Sequence, residues 1–314
     1  MRKKISNHDW IMKHLEEITS LGDECSKCFP DIFNDFGDHT PLKLCALKYY
    51  TEIYTMILKP DLLRKLGFNG KAFIDVFAGA GVSKITKDNI KVAGSFPIAL
   101  NYHYKDQPFD HYYGIEIDHA KCEALTQRSR RYANEADLTL INGDSNEEIF
   151  KIMDEIDEKK YHYLAFVDYE SLKGLSWKGM KRILDSNGDL LITLINPHRT
   201  AGLAKKNTSA FNTMCNLYSE EVVHKSTIND SIVPNVLYDE YFNLLRVYRK
   251  NLLDIKITGS RGYNYTLLFA TRETNSGSKY VRSMESLKSR IEEIDGLWVD
   301  SALSILKRGQ QTLD

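Results

Sequence analysis

The chain lacks any long apolar run. No window of its 314 residues approaches the roughly 18 apolar residues that a membrane-crossing helix requires, and the opening stretch from Met1 to Trp10 has no apolar core of the kind a secretory signal needs. A cytoplasmic protein with no membrane partner is therefore expected. Cysteine is scarce as well: Cys25, Cys28, Cys45, Cys122 and Cys215 are odd in number and scattered, which argues against a disulfide framework. Cys25 and Cys28 have metal-ligand spacing, but a closed zinc site takes four ligands and no second close pair follows, so no metal is expected. Charge of one sign is also missing. The net charge of −1 neither selects nor excludes a nucleic acid partner.

What is present is a globular composition, 42% hydrophobic and 27% charged, in a chain long enough for one elaborated domain or two small ones. Residues 1–38 read as helical pieces broken at Asp23-Glu24-Cys25 and Phe29-Pro30-Asp31. Residues 40–59 read as a better helix, with Thr40 able to cap, Pro41 at the first position, and Leu44, Leu47, Tyr50, Tyr54, Ile57 and Leu58 at helical spacing. Short apolar runs follow at 72–77, 112–117, 138–141, 163–167 and 189–195, separated by helical patterns at 119–132, 147–158 and 178–185. That alternation predicts an α/β, doubly wound, Rossmann-like parallel sheet.

Beyond residue 199 the chain turns helical, with the strongest pattern at 239–253. It then offers a hairpin, 253–258 and 263–271, around Gly259-Ser260-Arg261-Gly262, and amphipathic helices over 279–306. The expected organisation is an N-terminal helical cap (1–66), a Rossmann-like domain (67–275) with a helical insertion at about 200–252, and a C-terminal helical segment (276–314).

The first strand runs into Asp75-Val76-Phe77-Ala78-Gly79-Ala80-Gly81. Glycines directly after a strand let a ligand approach the backbone, and Asp75 stands where it can orient the loop or hold an ammonium group through water. A dinucleotide fingerprint would add a third glycine and an acid about 20 residues on; here Lys84 occupies the glycine position, and Glu116 comes 35 positions after Gly81. A phosphate-binding P-loop is excluded because no Gly-Lys-Ser/Thr follows.

Glu116, ending a strand in Gly114-Ile115-Glu116-Ile117-Asp118, suits the hydroxyls of an adenosine ribose, while Asp118 suits the start of the next helix. Asp144, after the third strand, can accept from an adenine amine, leaving Ser145 or Asn146 to cap. Asp168 ends the fourth strand, where such sheets place chemistry; it can position or deprotonate a nucleophile, with Tyr169 stacking on a planar substrate or simply packing. Arg128, Arg130, Arg131, Lys205 and Lys206, with several tyrosines, make either a nucleic-acid surface or solvated helix faces.

The series Asp75-x-Phe77-Ala78-Gly79-x-Gly81, Gly114-Ile115-Glu116, Gly143-Asp144 and Val167-Asp168 resembles the motif order of class I S-adenosylmethionine (SAM)-dependent methyltransferases over about 130 residues. The flanking His39-Thr40-x-x-Lys43, Gly94-Ser95 with Pro97-Ile98-Ala99-Leu100, Gly174-Leu175-x-Trp177 and Tyr263-x-Tyr265-x-Leu267-Leu268-Phe269-Ala270 resemble the three-Cys-motif partner (TcmP) family.

The resemblance implies SAM held by Asp75, Phe77, Ala78, Gly79, Gly81, Glu116, Ile117, Asp144 and Ser145, catalysis at Asp168 and Tyr169, and contacts from His39 and Lys43 on the substrate side; Arg199, just after the fifth strand, can contact a phosphate or a substrate carboxylate by its position. The resemblance also implies a nucleic acid acceptor, in RNA modification or phage defence, and a protein partner encoded with it. The chain departs from the family pattern at Leu44, at the displaced Pro97 and at Asp168-Tyr169-Glu170-Ser171, where Asp-Pro-Phe-Gly is usual. The lost proline removes the turn that aims carbonyls at an amine, and it opens the alternative of a non-catalytic SAM- or nucleotide-binding regulatory partner of an effector protein.

Overall fold

The computed structural model describes residues 5–36, 40–85, 89–133, 137–169, 171–172, 174–194, 204, 208–259, 264–272, 278–294 and 296–311. With elements numbered in chain order, the apolar runs form β2 (Gly70–Asp75), β5 (His111–Glu116), β6 (Leu138–Asn142), β7 (Tyr161–Asp168) and β8 (Gly188–Leu194). These pair in parallel in the order β6-β5-β2-β7-β8. The late hairpin extends the sheet beyond β8: β12 (Asn264–Thr271) lies antiparallel to both β8 and the edge strand β11 (Asn251–Thr258), giving seven strands. The architecture is the expected doubly wound, Rossmann-like α/β sheet, and its strand order reverses between β2 and β7. Such a reversal opens a crevice at the strands' carboxyl ends.

Period-2 alternation splits the core between two faces. Phe73, Tyr112, Leu164 and Phe166 point to one cluster; Ala72, Ile74, Tyr113, Ile115, Tyr163 and Ala165 point to the other. The first face is covered by α1 (Asn7–Ser26), α2 (Thr40–Ile57), α4 (Ser95–Asn101), α11 (Lys279–Glu292) and α12 (Gly296–Gln311). The second is covered by α6 (Ser145–Lys159), α7 (Trp177–Asp185), α8 (Ser209–Tyr218), α9 (Glu220–Lys225) and α10 (Pro234–Tyr248). Two further helices, α3 (Pro60–Lys65) and α5 (His119–Ser129), and a small antiparallel pair, β9 (Thr227–Ile228) and β10 (Ser231–Ile232), complete the connections. The chain's N-terminal and C-terminal helices thus share one core with the sheet.

Several sequence expectations need correction. Residues 7–26 form one helix, capped by Ser6 accepting from the Asp9 N–H at 3.0 Å, and it runs through Asp23-Glu24-Cys25. Ile11, Leu15, Ile18, Gly22 and Cys25 make a buried stripe while Glu24 stays exposed, so packing overrides the local break signal. Thr40 is already helical, and its buried hydroxyl has no hydrogen-bond partner, so it does not cap α2. That helix ends at Ile57 because Lys59, forced extended by the following Pro60, cannot continue it.

α10 starts five residues earlier than its pattern suggested, with Pro234 in its first turn, and residues from 251 pair as β11. A second, three-stranded sheet was not anticipated: β1 (Asn34–Phe36) runs parallel to β3 (Val82–Ile85), which is antiparallel to β4 (Ile90–Ala93). The usual helix after the glycine loop is displaced by this hairpin and begins only at Ser95.

α1 reaches the small sheet through Gly22. A Cβ there would lie 2.5 Å from the Val92 carbonyl carbon and 2.6 Å from the Ala93 nitrogen, both backbone atoms that cannot swing aside. Helix propensity alone favours Gly22→Ala by up to about 1 kcal/mol. The contact predicts a net loss of about 1–3 kcal/mol instead. Thermal or urea unfolding decides between them, and a variant as stable as the parent would show that α1 is free to shift off β4.

Candidate functional site

The glycine loop leaves β2 tied to both neighbouring strands. The Val76 N–H donates to the Phe166 carbonyl at 3.1 Å and the Ala78 N–H to the Ile115 carbonyl at 2.9 Å. Gly79 (φ +60°) and Gly81 (φ +75°) take left-handed conformations that side chains oppose. The β3–β4 hairpin then returns so that the Gly94 N–H donates to the Gly81 carbonyl at 2.9 Å, locking the loop from behind.

In front of this loop lies a cleft of about 440 Å³, a size that suits a nucleoside-sized ligand. It runs from Asn34 and Gly79 over Phe77, past Glu116 and Ile117, to Asp144 and Ser145. The structure thus brings together most of the residues singled out for a cofactor. Ile117 is 72% exposed, an apolar side chain held open at the rim.

Each cleft acid spends one oxygen on its own loop. Glu116 Oε1 accepts from the Asp118 N–H at 2.8 Å, and Asp118 caps α5 as expected, accepting from the Lys121 N–H at 3.0 Å. Asp144 Oδ1 caps α6 by accepting from the Asn146 N–H at 2.8 Å. The helix is therefore capped by Asp144 itself, where Ser145 or Asn146 was expected to do so. Asn146 instead crosses to accept from the Ser176 N–H at 2.8 Å. Among the described residues, no hydrogen bond uses the second oxygen of Glu116 or Asp144.

Beneath α2, at the point where strand order reverses, polar groups gather on the first face of the sheet. Asp75 is 0% exposed and neither of its oxygens has a hydrogen-bond partner of good geometry. Burial pushes its carboxyl up to about 7; the nearby Ser95 hydroxyl pulls the other way, and the charge of Asp168 adds to the rise. Lys43 reaches down from α2 to form an ion pair with Asp168 Oδ2, leaving buried Oδ1 without a partner. Thr193, beside Asp168 in the β7–β8 register, has a buried and unpartnered hydroxyl too. Buried polar atoms are normally satisfied, so this concentration marks a place built to receive polar groups.

Tyr169 does not face the cleft. Its ring is buried in the second core, 6.0 Å from that of Phe77, and its hydroxyl donates to the Leu175 carbonyl at 3.1 Å. A Cβ on Gly174 would lie 2.3 Å from the Tyr169 ring, so the ring is roofed over and packs rather than stacks on a substrate. His39, Glu170, Arg199, Lys205 and Lys206 lie outside the described residues.

Arg128 leaves the supposed basic surface altogether: it is 1% exposed and donates to the carbonyls of Cys25, Cys28, Phe29, Ile32 and Ala80. Sequence reasoning missed Asn34, Lys121 and Ser171 in the cleft wall. Asn34 carried no signal at all, because only the pairing of β1 with β3 brings it to the glycine loop.

No family model matches the chain, and no curated protein matches it. Among solved structures it is similar to protein LPL1258 from Legionella pneumophila, with 10% identity, 79% of this chain and 92% of that one covered, and a TM-score of 0.44. It is also similar to human methyltransferase-like protein 13 in complex with SAH, with 12% identity, coverage of 77% and 87%, and a TM-score of 0.41. A third is an O-methyltransferase from Bacillus cereus in complex with SAH, with 12% identity, coverage of 83% and 91%, and a TM-score of 0.38.

The buried Asp75 makes stability pH-dependent. Its folded pKa is raised above the unfolded 3.8, so the folded state holds a proton that the unfolded state has already lost, and stability falls as pH rises from about 4 to about 7. Asp75→Asn removes this loss. Relative to the parent, the variant should gain up to about 4 kcal/mol in unfolding free energy between about pH 4 and pH 8. Urea titrations at both pH values measure it; a difference independent of pH would mean that Asp75 ionises freely in the folded protein.

Proposed function

We propose that the protein is a SAM-dependent methyltransferase. The observation that carries this reading is the order of groups along one cleft. Asp75, with its unpartnered oxygens, ends the strand that leads into the cleft; Phe77 and Gly79 of the following loop line it next, then Glu116, then Asp144 with Ser145. A cationic amino-acid end, a ribose diol and an exocyclic amine, in that order, match these groups. The cofactor would supply a methyl group on an activated sulfonium.

The chain's own residues do the rest. The free oxygen of Glu116 accepts from ribose hydroxyls, that of Asp144 from the adenine amine, and Ile117 offers an apolar platform to the base. Asp75 gains a cationic neighbour that favours its ionised form. Lys43 occupies Oδ2 of Asp168, so that Oδ1 is left to accept a hydrogen from the methyl acceptor and orient it. In-line methyl transfer needs mainly alignment and exclusion of water, which this buried pair provides. By the TcmP resemblance the acceptor is a nucleic acid, with His39 and Arg199 contributing to its binding and a protein partner acting alongside, in RNA modification or phage defence.

A second reading draws on the same pair: Lys43 covers Asp168, and Tyr169 is buried where a proline-shaped turn would open the site. On that reading the chain binds SAM or another nucleotide without transferring the methyl group, and signals to an effector protein. Isothermal titration with SAM and SAH, followed by radiolabelled methyl transfer to total RNA, DNA and protein, separates the two. Asp75→Ala and Glu116→Ala should each weaken SAM binding about tenfold or more. Asp168→Ala should bind SAM within about twofold of the parent and lose transfer. Absence of binding by the parent protein sinks the proposal; tight binding with no transfer to any pool selects the second reading.

A further inference from the structure

The cleft has a wall that the Rossmann domain does not supply. β1 carries Asn34 to the glycine loop by parallel pairing, with Asn34 opposite Ser83. The approach is close: a Cβ on Gly79, whose φ of +60° already opposes a side chain, would sit 2.1 Å from Asn34 Nδ2 and push the amide from its place. The segment before β1 is held by Arg128, whose guanidinium donates to carbonyls at Cys25, Cys28, Phe29 and Ile32 and also to Ala80 between the two loop glycines. One buried side chain thereby sets the distance between the N-terminal segment and the loop. Among the described residues, no hydrogen bond engages the side-chain amide of Asn34, which lines the cleft.

We propose that Asn34 recognises the α-carboxylate of the ligand's amino-acid end, and so sets the specificity of the cleft for a nucleoside carrying an intact amino acid. The inference rests on the SAM reading above and adds the residue that distinguishes SAM from its trimmed relatives. The charge layout supports it. Glu116, Asp118 and Asp144 make the opposite stretch of the cleft acidic, so a carboxylate is repelled there and is better placed at the glycine-loop end, beside a neutral donor. An amide donates a hydrogen bond without the full charge that would draw in a phosphate. Among the described lining residues the cation is Lys121, but it sits on α5 just beyond Asp118, at the acidic stretch.

Four ligands test the assignment by isothermal titration: SAM and SAH, which carry the carboxylate, and decarboxylated SAM and 5′-methylthioadenosine, which lack it. Asn34→Ala should bind SAM and SAH about ten- to hundredfold more weakly, the effect of losing a hydrogen bond to a charged group. It should bind the two trimmed ligands within about twofold of the parent. Asn34→Asp should penalise SAM further and spare decarboxylated SAM. Equal losses for all four ligands would make Asn34 a purely structural residue and overturn the proposal. So would a carboxylate-dependent loss that appears in Lys121→Ala and not in Asn34→Ala. If the parent binds none of the four, the SAM reading fails and takes this inference with it, whereas binding of all four with no discrimination by Asn34 overturns this inference alone.

Discussion

The structure turns on a buried guanidinium that, among the described residues, has no carboxylate to neutralise it. Arg128 is almost wholly buried, and its charge is balanced by the negative ends of five backbone carbonyls, four from residues 25–32 and one from the glycine loop. Burial pulls its pKa down from the ordinary arginine value, yet arginine's basicity keeps it charged. Removing it would strand several buried acceptors at once, each costing about 1–3 kcal/mol. The arrangement explains why the N-terminal helix, the small sheet and the glycine loop form one body: the loop's conformation is set by contacts outside the Rossmann unit as much as by its own two glycines.

The second constraint is electrostatic and acts where the strand order reverses. Two carboxylates and one lysine are buried under α2, and the lysine pairs with one of them. Asp75 is left holding a proton near neutral pH, a state with no structural benefit to a protein that keeps the site for its own stability. Natural proteins tolerate such local cost at functional sites. The cost becomes intelligible if a cation completes the charge balance, because the ligand then meets an acid already in place and already desolvated.

Much of the sheet was legible because its signals are local. Residues such as Ala72 to Ile74 and Leu190 to Ile192 are continuous apolar runs, the pattern of buried parallel strands. The glycine loop, Glu116 and Asp144 were legible for a related reason, since strand ends in a doubly wound sheet face one crevice. Legibility failed where distant segments overrode local preference. The acids at 23 and 24 suggested a break, but a buried stripe carried α1 past them; Arg128 looked like one of a surface cluster, but its helix turns it inward. Tyr169 offered two readings, and Gly174 and the Leu175 carbonyl chose packing.

The sequence by itself determined the α/β alternation, the placement of the glycine loop after the first strand of the large sheet, and the identity of the acids at the next strand ends, because periodicity and turn chemistry are encoded within a few residues. Only the tertiary structure decided that Lys43 neutralises Asp168 while Asp75 stays orphaned, that Asn34 stands over Gly79, and that Arg128 links the two. These are meetings of residues far apart in the chain, and their energies depend on burial and on which neighbour satisfies a charge or a lone pair. No local pattern carries that information, since it exists only once the chain has closed on itself.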